Sequence, residues 1–413
     1  MANERILFMK NDSFYDTDNY KKKRQTSNKS SVSYRTSKTR NASYKPVSAA
    51  SSGKKTKRMN EHEPNHPPKK VSKKKHGCLL PLLLFIVLIG IIAFFAFRFS
   101  VKGAFSKIKK YPLDKSNVTV NDTDANIKDY QNIALFGVDS QDNKITDTGS
   151  RTDCIIIASI HKSNHKVKLM SIYRDTYVSI DGEYDKINAA YSYGGPELAL
   201  RTINRNLDLN ITDFATVNFK ALADAVDVLG GIPLTITSEK ELKNLNDYIG
   251  NMNHINGGNS PKFDKVGTYT FDGNQAVAYS RIRYMEGGDH ARANHQRLVL
   301  EGIMNAAKKQ PFKLGKLIST VLPQCKTSLS DNDLTKLIFS MARSSITDSQ
   351  AYPFQSEDER YGGIYYGFPI TAKSNAIKAH EYLFCTKNYE PTDELQKISA
   401  KIKIVTDDIG LTD

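Results

Sequence analysis

Acidic and guanidinium side chains lie at the ends of three consecutive apolar stretches of this chain. They are Asp139, Arg151, Asp153, Arg174 and Asp175. A guanidinium group presents a rigid fork of donors that matches phosphate oxygens, and paired carboxylates suit a hard cation such as Mg²⁺. Gathered in one place, these residue types would hold a diphosphate between a metal ion and a set of arginines. The same residues could also form an ordinary surface salt-bridge network.

The three apolar stretches have the pattern of neighbouring strands. Residues 132–138, 154–160 and 166–172 are short, rich in apolar and β-branched residues, and separated by polar turns, which is typical of strands. In an antiparallel meander, the end of the first strand, the start of the second and the end of the third share one edge. The sequence therefore predicts that all five charged side chains meet at one edge of a sheet.

Further cationic side chains lie near the ends of predicted helices. One capped helix ends in Arg281 and Arg283, and a Gly-rich turn then leads to a second helix that begins near Arg292. Arg292 and Gln296 are four residues apart and share a helix face, and the N-terminus of a helix attracts anions. We expect these four residues to join the phosphate-binding set. Asp289 is placed to cap the second helix.

The central region alternates predicted helices with predicted strands. Helices are predicted after the Gly-rich break at 194–197 and over 221–229, strands over 214–219 and 232–236, and a long Asn- and Gly-rich loop over 244–268. Such alternation is typical of α/β layering. The predicted fold is an α/β domain with a central mixed, largely antiparallel sheet flanked by helices.

The basic charge of the chain is concentrated in its N-terminal tail. The 413 residues carry 59 Lys and Arg against 44 Asp and Glu, a net +15, and residues 1–75 hold 20 of the former against 6 of the latter, a net +14. The remainder is nearly neutral, which argues against nucleic-acid binding by the folded part. The tail is rich in Lys, Ser, Asn, Thr and Pro without an apolar period, so it is predicted to be disordered.

A stretch of twenty residues without a charge, 78–97, follows the tail. A helix of about 20 residues crosses a bilayer core of about 30 Å. Lysines before the stretch outnumber the cationic residues after it, so the N-terminus is expected in the cytoplasm and residues 98–413 outside the cell. We predict a cytoplasmic tail over 1–76, a transmembrane helix over 77–98, a connection over 99–130, a catalytic domain over 131–310 and a C-terminal extension over 311–413.

The four cysteines give no sign of a metal–thiolate site. The chain has no Cys-x-x-Cys, and the spacing of Cys78, Cys154, Cys325 and Cys385 does not match a zinc motif. Cys78 and Cys154 lie in apolar stretches, as small buried hydrophobic residues do. A disulfide between Cys325 and Cys385 outside the cell stays open at this stage.

Several sequence motifs follow one another in a fixed order. They are LFGVD ending at Asp139, RTD at 151–153, SIYRD at 171–175, KINAAYSYGG at 186–195, DVLGG at 227–231, SRIR at 280–283 and DHAR at 289–292 with Gln296. In these motifs, residues 131–309 resemble the catalytic domain of the LytR–CpsA–Psr family. Tyr173 stands where that family usually has Pro, and His290 with Ala291 replaces part of a more usual Gly-Asp-Tyr-Gly turn.

The resemblance implies an enzyme that transfers an anionic cell-wall glycopolymer, of teichoic acid or capsular polysaccharide type, from an undecaprenyl pyrophosphate carrier to peptidoglycan in Gram-positive bacteria. It implies that Asp139 and Asp153 hold Mg²⁺, or Mn²⁺, and act with Arg174 in catalysis, and it leaves room for a pyrophosphatase side activity. The implied pyrophosphate ligands are Arg151, Arg174, Arg281, Arg283, Arg292 and Gln296. The isoprenoid chain of the carrier would lie in an apolar tunnel between sheet and helices.

Other functions and roles stay open from the sequence. A membrane-bound transcriptional attenuator is supported only by the basic tail, and because the sequence has no helix-turn-helix pattern, no specific nucleic-acid partner is expected. A non-catalytic polyprenyl-lipid binder would share the site without turnover. The proton acceptor of the transfer is unassigned between Asp139 and Asp175, and Lys186 is a further candidate ligand for phosphate.

Overall fold

The structure is a computed structural model that describes residues 103–118, 125–138, 145–146, 148–285 and 287–411. The predicted tail over 1–76, the predicted transmembrane helix over 77–98 and Asp139 lie outside these residues. Within the described ranges, no helix combines the length and the apolar character needed to cross a membrane.

A seven-stranded sheet lies at the centre of the described chain. In chain order the strands are β1 (Lys109–Lys110), β2 (Tyr130–Val138), β3 (Thr152–His161), β4 (Lys166–Ile172), β5 (Tyr177–Ile180), β6 (Glu183–Lys186), β7 (Phe214–Asn218), β8 (Ile232–Ile236), β9 (Gly267–Phe271), β10 (Lys326–Thr327), β11 (Ser345–Tyr352), β12 (Ser356–Tyr361) and β13 (Ile364–Pro369). The large sheet has the order β1-β10-β7-β2-β3-β4-β11, and β5–β6, β8–β9 and β12–β13 form separate pairs.

Helices cover both faces of this sheet. They are α1 (Lys115–Val118), α2 (Ala189–Leu207), α3 (Phe219–Leu229), α4 (Glu239–Asn256), α5 (Gly273–Arg281), α6 (Gly288–Lys309), α7 (Leu314–Val321), α8 (Asp331–Arg343), α9 (Ala372–Phe384) and α10 (Asp393–Asp408). Period-two alternation along β2 separates two cores. Phe136 and Val138 pack with residues of α2 and α9, whereas Ile133 packs with residues of α7 and α8.

The predicted antiparallel meander of β2, β3 and β4 is confirmed. The prediction that the whole sheet is largely antiparallel is not. β2–β3 and β3–β4 are antiparallel, but β7 pairs with β2, β11 with β4 and β1 with β10 in parallel. Within the described residues, half of the six pairings in this sheet are therefore parallel. The physical reason is that α2 carries the chain back across the sheet, which brings β7 beside β2 in the same direction.

The predicted break before the helix near residue 194 is present inside α2. Gly194 and Gly195 leave the helical conformation, and the φ of Gly195 is 66°, a value that favours glycine. Pro196 then opens the longer segment, where its missing N–H costs no helix hydrogen bond. Leu200, Ile203 and Leu207 from this segment are buried against the sheet.

The predicted loop over 244–268 is wrong for its first half, which belongs to α4. Ser238 caps this helix through its side chain, and Leu242, Leu245, Ile249 and Met252 form a buried stripe at helical spacing. The asparagines that suggested a loop lie on the remaining faces, where their amides hydrogen-bond the segment that follows the helix. Burial of the stripe therefore outweighs the weak helix propensity of asparagine.

The central sheet contains strands that precede residue 310, the predicted end of the catalytic domain, and strands that follow it. β10 pairs with β7 and β11 pairs with β4, so part of the predicted C-terminal extension completes the sheet. Cys325 is buried and Cys385 is exposed, and both thiols are free. The disulfide left open by the sequence does not form.

Candidate functional site

The ends of β2, β3 and β4 meet at one edge of the sheet, as an antiparallel meander requires. Val138, the last residue of β2, pairs with Thr152 at the start of β3. Nη1 of Arg174, just after β4, lies 2.7 Å from Oδ1 of Asp153. The structure thus brings Asp153 and Arg174 together at the predicted edge, whereas Asp139 lies outside the described residues.

Asp153 is the carboxylate on which the cluster converges. Besides Arg174, Nη2 of Arg283 lies 2.8 Å from Oδ2 and Nη1 of Arg292 lies 4.0 Å from Oδ1. The side-chain amide of Gln296 donates a hydrogen bond of 3.1 Å to the Asp153 backbone carbonyl. Four of the predicted phosphate ligands therefore surround one aspartate.

The packing of α5 against α3 positions Arg283. A capping box between Asp272 and Gln275 fixes the start of α5. A Cβ on Gly273 would come within 2.4 Å of the Ala223 carbonyl oxygen, so only glycine permits this close approach of the two helices. Arg283 follows α5 by two residues, and its direction therefore depends on this contact.

α6 presents Arg292 and Gln296 from one face, as their spacing predicted. Asp289 does not cap this helix, since the N-cap is Gly287 without a side-chain hydrogen bond. Oδ1 of Asp289 lies 2.6 Å from Nη2 of Arg292 and 3.3 Å from Nε of Arg174. The predicted cap is wrong because two guanidiniums engage the carboxylate instead.

Arg174 has a second acidic neighbour on the side of its Nε atom. That atom lies 3.4 Å from Oδ2 of Asp175, and Nζ of Lys186 lies 2.7 Å from the other oxygen of this carboxylate. Lys186, the additional candidate for phosphate binding, is therefore held at the cluster by Asp175. The guanidinium of Arg174 links two groups of residues, one around Asp153 and one around Asp175 and Asp289.

The charges of this cluster are withdrawn from water. Burial disfavours the charged form of Asp153, but the guanidinium of Arg174 and its two neighbours outweigh burial and hold the pKa of Asp153 below its ordinary value. Burial raises the pKa of Asp289 and lowers that of Arg292. Interactions with a bound anion would be screened little by solvent at such a site.

The arginines of the cluster have donors left over. Nε and Nη1 of Arg292 are buried and make no hydrogen bond to any residue the structure describes. Nε of Arg174 also lacks a hydrogen bond, although the carboxylates of Asp289 and Asp175 lie 3.3 and 3.4 Å from it. Buried polar groups are nearly always hydrogen-bonded in folded proteins, so such atoms call for an explanation. A diphosphate, with several oxygens that accept from guanidinium groups, would satisfy these donors.

Two predicted ligands lie apart from this ion-pair cluster. Nη1 of Arg281 is 3.2 Å from the Met252 sulfur, and its guanidinium lies 4.5 Å from the centre of the Phe219 ring. Arg151 is exposed at the start of β3, where Tyr193 is an electrostatic neighbour. No ion pair that the described residues form with Asp153 involves either arginine, so their role in phosphate binding stays a prediction.

The sequence prediction assigned no role to four side chains beside the cluster. The rings of Tyr173 and His290 stack with centroids 4.0 Å apart, so the two departures from the usual family pattern contact each other. Asp358 and Tyr365, on the hairpin β12–β13, line a pocket that also includes Asp175 and Asp289. The Gly362–Gly363 pair, both at positive φ, is a hairpin signal that could have located this element.

The fit of a divalent cation can be judged from Asp153, the predicted metal ligand that the structure describes. Both of its carboxylate oxygens have guanidinium partners, and the described part of the chain contains no group of three His, Cys, Asp or Glu residues arranged to hold a metal ion. An oxygen of Asp153 has the right chemistry for Mg²⁺, but it becomes available only if an arginine moves to another partner. The metal site stays a prediction.

Two of the pockets on the described surface can be compared with the predicted lipid channel. The one beside Asp175 encloses about 10 Å³, and the other, about 200 Å³, is lined by Asp224, Asp227 and Asn274 among other polar residues. Neither matches an apolar channel for an isoprenoid chain, so the tunnel also stays a prediction.

The fold and the site together define the class of this protein: an α/β protein with a partly buried cluster of arginine and aspartate side chains at one edge of a mixed sheet. The LytR_cpsA_psr family matches residues 95–381. The chain belongs to this family.

Relatives and solved structures agree with this assignment. The chain is 30% identical over 266 residues to the polyisoprenyl-teichoic acid–peptidoglycan teichoic acid transferase TagU of Enterococcus faecalis, which covers 63% of this chain and 80% of the relative. A structure of TagT bound to LI-WTA matches with a TM-score of 0.53 at 25% identity, over 66% of this chain and 97% of that chain. A structure of the LytR-CPS2A-psr family protein YwtF (TagT) with bound octaprenyl pyrophosphate lipid shares the fold, with a TM-score of 0.50 at 24% identity.

Proposed function

We propose that this chain transfers an anionic cell-wall glycopolymer, of teichoic acid or capsular polysaccharide type, from an undecaprenyl pyrophosphate carrier to peptidoglycan. The observation that carries the proposal is the convergence of three guanidiniums from separate segments on Asp153, with buried donors on Arg292 that make no hydrogen bond to the described residues. The name of the TagU relative and the lipid bound to YwtF (TagT) support the same substrate class.

The proposed reaction is a phosphoryl transfer. A hydroxyl oxygen of a peptidoglycan sugar forms a bond to the phosphorus that carries the glycopolymer, and the bond from that phosphorus to the bridging oxygen breaks. Undecaprenyl phosphate leaves with the bridging oxygen, and the hydroxyl proton passes to a nearby carboxylate and then to solvent. Water in place of the sugar hydroxyl would give the proposed pyrophosphatase side activity.

The arginines act by placing positive charge where the phosphate oxygens gain negative charge. In the described chain Arg174 and Arg283 donate to Asp153. On binding, the diphosphate would take these donors together with the unused donors of Arg292. The proposed role of Asp153 without ligand is therefore to hold the guanidiniums in place.

The proposal includes a Mg²⁺ or Mn²⁺ ion, with Asp139 and Asp153 as its ligands. These two carboxylates would hold the ion, and its charge would offset the charge that develops on the phosphate groups. Release of Asp153 from a guanidinium partner would make an oxygen available for this role.

We also propose a membrane-anchored arrangement. The apolar stretch over 78–97 would span the membrane, with the basic tail in the cytoplasm and the site outside the cell. The tail would contact anionic lipid head groups, and no specific nucleic acid is expected as a partner. This arrangement places the site on the side of the membrane where peptidoglycan lies.

The proposal is tested with the full-length protein in detergent and a synthetic polyprenyl-pyrophosphate-linked oligosaccharide. Arg174→Ala should lower turnover by about 10²–10³-fold, because it removes one charge-stabilising donor group. Arg201→Ala is the matched control, since the side chains of Arg174 and Arg201 are 21% and 22% exposed and each pairs with an aspartate. The control should keep turnover within about twofold.

Two results would contradict the proposal. Undiminished turnover in a folded Arg174→Ala variant would remove the arginine cluster from catalysis. Binding of the lipid by the wild-type protein without turnover in the presence of Mg²⁺ and peptidoglycan strands would favour the non-catalytic lipid binder.

A further inference from the structure

The hairpin β12–β13 lies against the segment that directly follows Arg174. The backbone N–H of Gly367 donates a hydrogen bond of 2.9 Å to the Asp175 carbonyl, and Thr176 forms a parallel bridge with Gly367. The hairpin therefore belongs to the wall of the site, although its residues follow the predicted catalytic domain in sequence.

The two faces of this hairpin differ in what they contact. Tyr366 and Phe368 are buried and pack with Tyr177 in a separate hydrophobic core. Because side chains alternate along a strand, Tyr365 on β13 and Asp358 on β12 lie on the opposite face, which borders the pocket beside Asp175. The core contacts thus fix which side chains face the site.

The pocket is small and rich in hydrogen-bonding groups. It encloses about 10 Å³, which is the space required by one water molecule or hydroxyl group. Its wall residues include Tyr173, Asp175, Asp289, His290, Asp358 and Tyr365. Burial and the neighbouring Asp358 carboxylate raise the pKa of Tyr365. The wall therefore offers carboxylates, a hydroxyl group and ring faces but no guanidinium.

Arg174 connects this pocket with the proposed diphosphate site. Its Nη1 atom faces Asp153, whereas its Nε atom faces Asp175 and Asp289. In a phosphoryl transfer the attacking and leaving oxygens lie on roughly opposite sides of the phosphorus. A phosphate held by Arg174 would therefore have the pocket available on one side for the attacking oxygen.

The negative charge of the pocket determines which class of ligand can bind there. Three carboxylates, those of Asp175, Asp289 and Asp358, line it, and they would repel a phosphate-rich polymer. They would accept hydrogen bonds from the hydroxyl groups of an uncharged sugar. A metal ion is a poor alternative, because the described residues contain no metal-binding group of acidic side chains, His or Cys.

We propose that the hairpin β12–β13 forms the acceptor subsite, which takes a hydroxyl group of an uncharged sugar in the glycan strand of peptidoglycan. The inference rests on the proposed function and adds the place where the second substrate binds. The hydroxyl oxygen forms the new bond to phosphorus, and its proton leaves toward Asp175 or Asp289, the two carboxylates shared by the pocket and the arginine cluster. Asp358 and Tyr365 hold the sugar.

The test uses the full-length protein and measures its interaction with each of the two substrates separately. Transfer is measured against the concentration of soluble uncross-linked peptidoglycan strands, and binding of the polyprenyl-pyrophosphate-linked oligosaccharide is measured without acceptor. Asp358→Asn and Tyr365→Phe should each raise the KM for the strands by about tenfold, the effect of one lost hydrogen bond. Both should leave the Kd of the lipid substrate within about twofold.

Glu359→Gln is the matched control, because it removes one charge from the neighbouring residue of β12, which points away from the pocket. Its KM should equal that of the wild type. If the KM for the strands is unchanged in both Asp358→Asn and Tyr365→Phe while wild-type transfer proceeds, the acceptor subsite is wrong and the proposed function stands. If the wild type neither binds nor turns over the lipid substrate, the proposed function itself is wrong.

Discussion

Two ion-pair networks of this protein use the same residue types and differ in burial and origin. One surrounds Asp153, whose side chain is 17% exposed, and the other surrounds Asp181, whose side chain is 43% exposed. Arg201 and Arg205 of the second network come from successive turns of one helix and lie 2.5 and 2.8 Å from Asp181. The guanidiniums around Asp153 come from three separate segments of the chain.

The networks also differ in what they leave unsatisfied. Arg201 makes a two-point contact with Asp181 through Nε and Nη2. Arg292 keeps two buried nitrogens without a hydrogen-bond partner among the described residues. In the surface network Nε of Arg205 also lacks a hydrogen bond, but it lies 3.3 Å from the Glu394 carboxylate. A buried excess of donors such as that of Arg292 is the feature expected of an anion site. Residue type alone does not distinguish the two.

The largest effect on stability is expected from Asp153→Asn. It takes the shared carboxylate away from the buried guanidinium of Arg292 and from two partly exposed guanidiniums, and breaking a buried pair in this way costs about 3–5 kcal/mol. Inorganic pyrophosphate should recover part of the loss in Tm, because it binds the released guanidiniums. The measurement is thermal unfolding at low salt, with and without pyrophosphate.

Asp181→Asn is the control for this experiment. It removes the same charge from an exposed network, so we expect a loss of at most about 1 kcal/mol and no recovery by pyrophosphate. Equal losses and equal recovery in the two variants would mean that the Asp153 cluster is another salt-bridge network and not an anion site.

A third carboxylate, which is buried, provides a comparison with these two networks. Glu241 of α4 and His295 of α6 are buried, and Oε1 of Glu241 lies 2.9 Å from Nε2 of His295. Thr237 donates to the other carboxylate oxygen through its backbone and its hydroxyl. This pair is buried, as Arg292 of the Asp153 cluster is. Both carboxylate oxygens of Glu241 have partners, as those of Asp181 do. The pair therefore reports on fold stability close to Arg292 without belonging to the proposed anion site.

We expect the Glu241–His295 pair to make the free energy of unfolding depend on pH in the acidic range. Burial opposes ionisation of Glu241, but hydrogen bonds from His295 and Thr237 outweigh burial and lower its pKa from 4.5 to about 2. The pKa of Glu241 is lower in the folded than in the unfolded protein. The contribution of its carboxylate to the free energy of unfolding is therefore complete above about pH 4.5 and is lost as pH falls toward 2. The Tm difference between wild type and Glu241→Gln should therefore shrink over this range.

Glu394→Gln provides the exposed comparison, since the Glu394 side chain is 47% exposed and pairs with Arg205. Its Tm difference from the wild type should be small at every pH. A Glu241→Gln difference that stays constant between pH 7 and pH 3 would show that the carboxylate does not carry the stabilising charge.

The sequence predicted the Asp153 network well because its position follows from strand direction. The apolar stretch over 166–172 ends where β4 ends, and alternating strand directions then place Asp153 beside Arg174. The direction of Arg281 could not be predicted in the same way. Its guanidinium contacts Met252 and Phe219 because α5 packs between α3 and α4, which is a tertiary arrangement that no local pattern encodes.

Two elements near the site escaped prediction because their stabilising contacts are distant in sequence. α4 contains many asparagines, and its apolar stripe becomes decisive only when it is buried against α5 and α6. β12 has the sequence Ser-Glu-Asp-Glu-Arg-Tyr and is mostly exposed, so it has no alternation of apolar residues. Its strand form depends on pairing with β13, whose Tyr366 and Phe368 are buried.

The smallest effect is expected from Arg205→Ala in the exposed network. Arg205 links Asp181, in the turn between β5 and β6, to Glu394 of α10, at 2.8 and 3.3 Å. Exposed pairs contribute about 0.2–1 kcal/mol. Screening shortens the range of such interactions to about 3 Å at 1 M salt, so the stability difference between Arg205→Ala and wild type should vanish there, as measured by denaturant unfolding at low and high salt. The deficit of Asp153→Asn should persist in the same salt, because the side chains of Asp153 and Arg292 are only 17% and 3% exposed. A deficit of Arg205→Ala that survives high salt would place the two networks in one class and remove burial as the property that separates them.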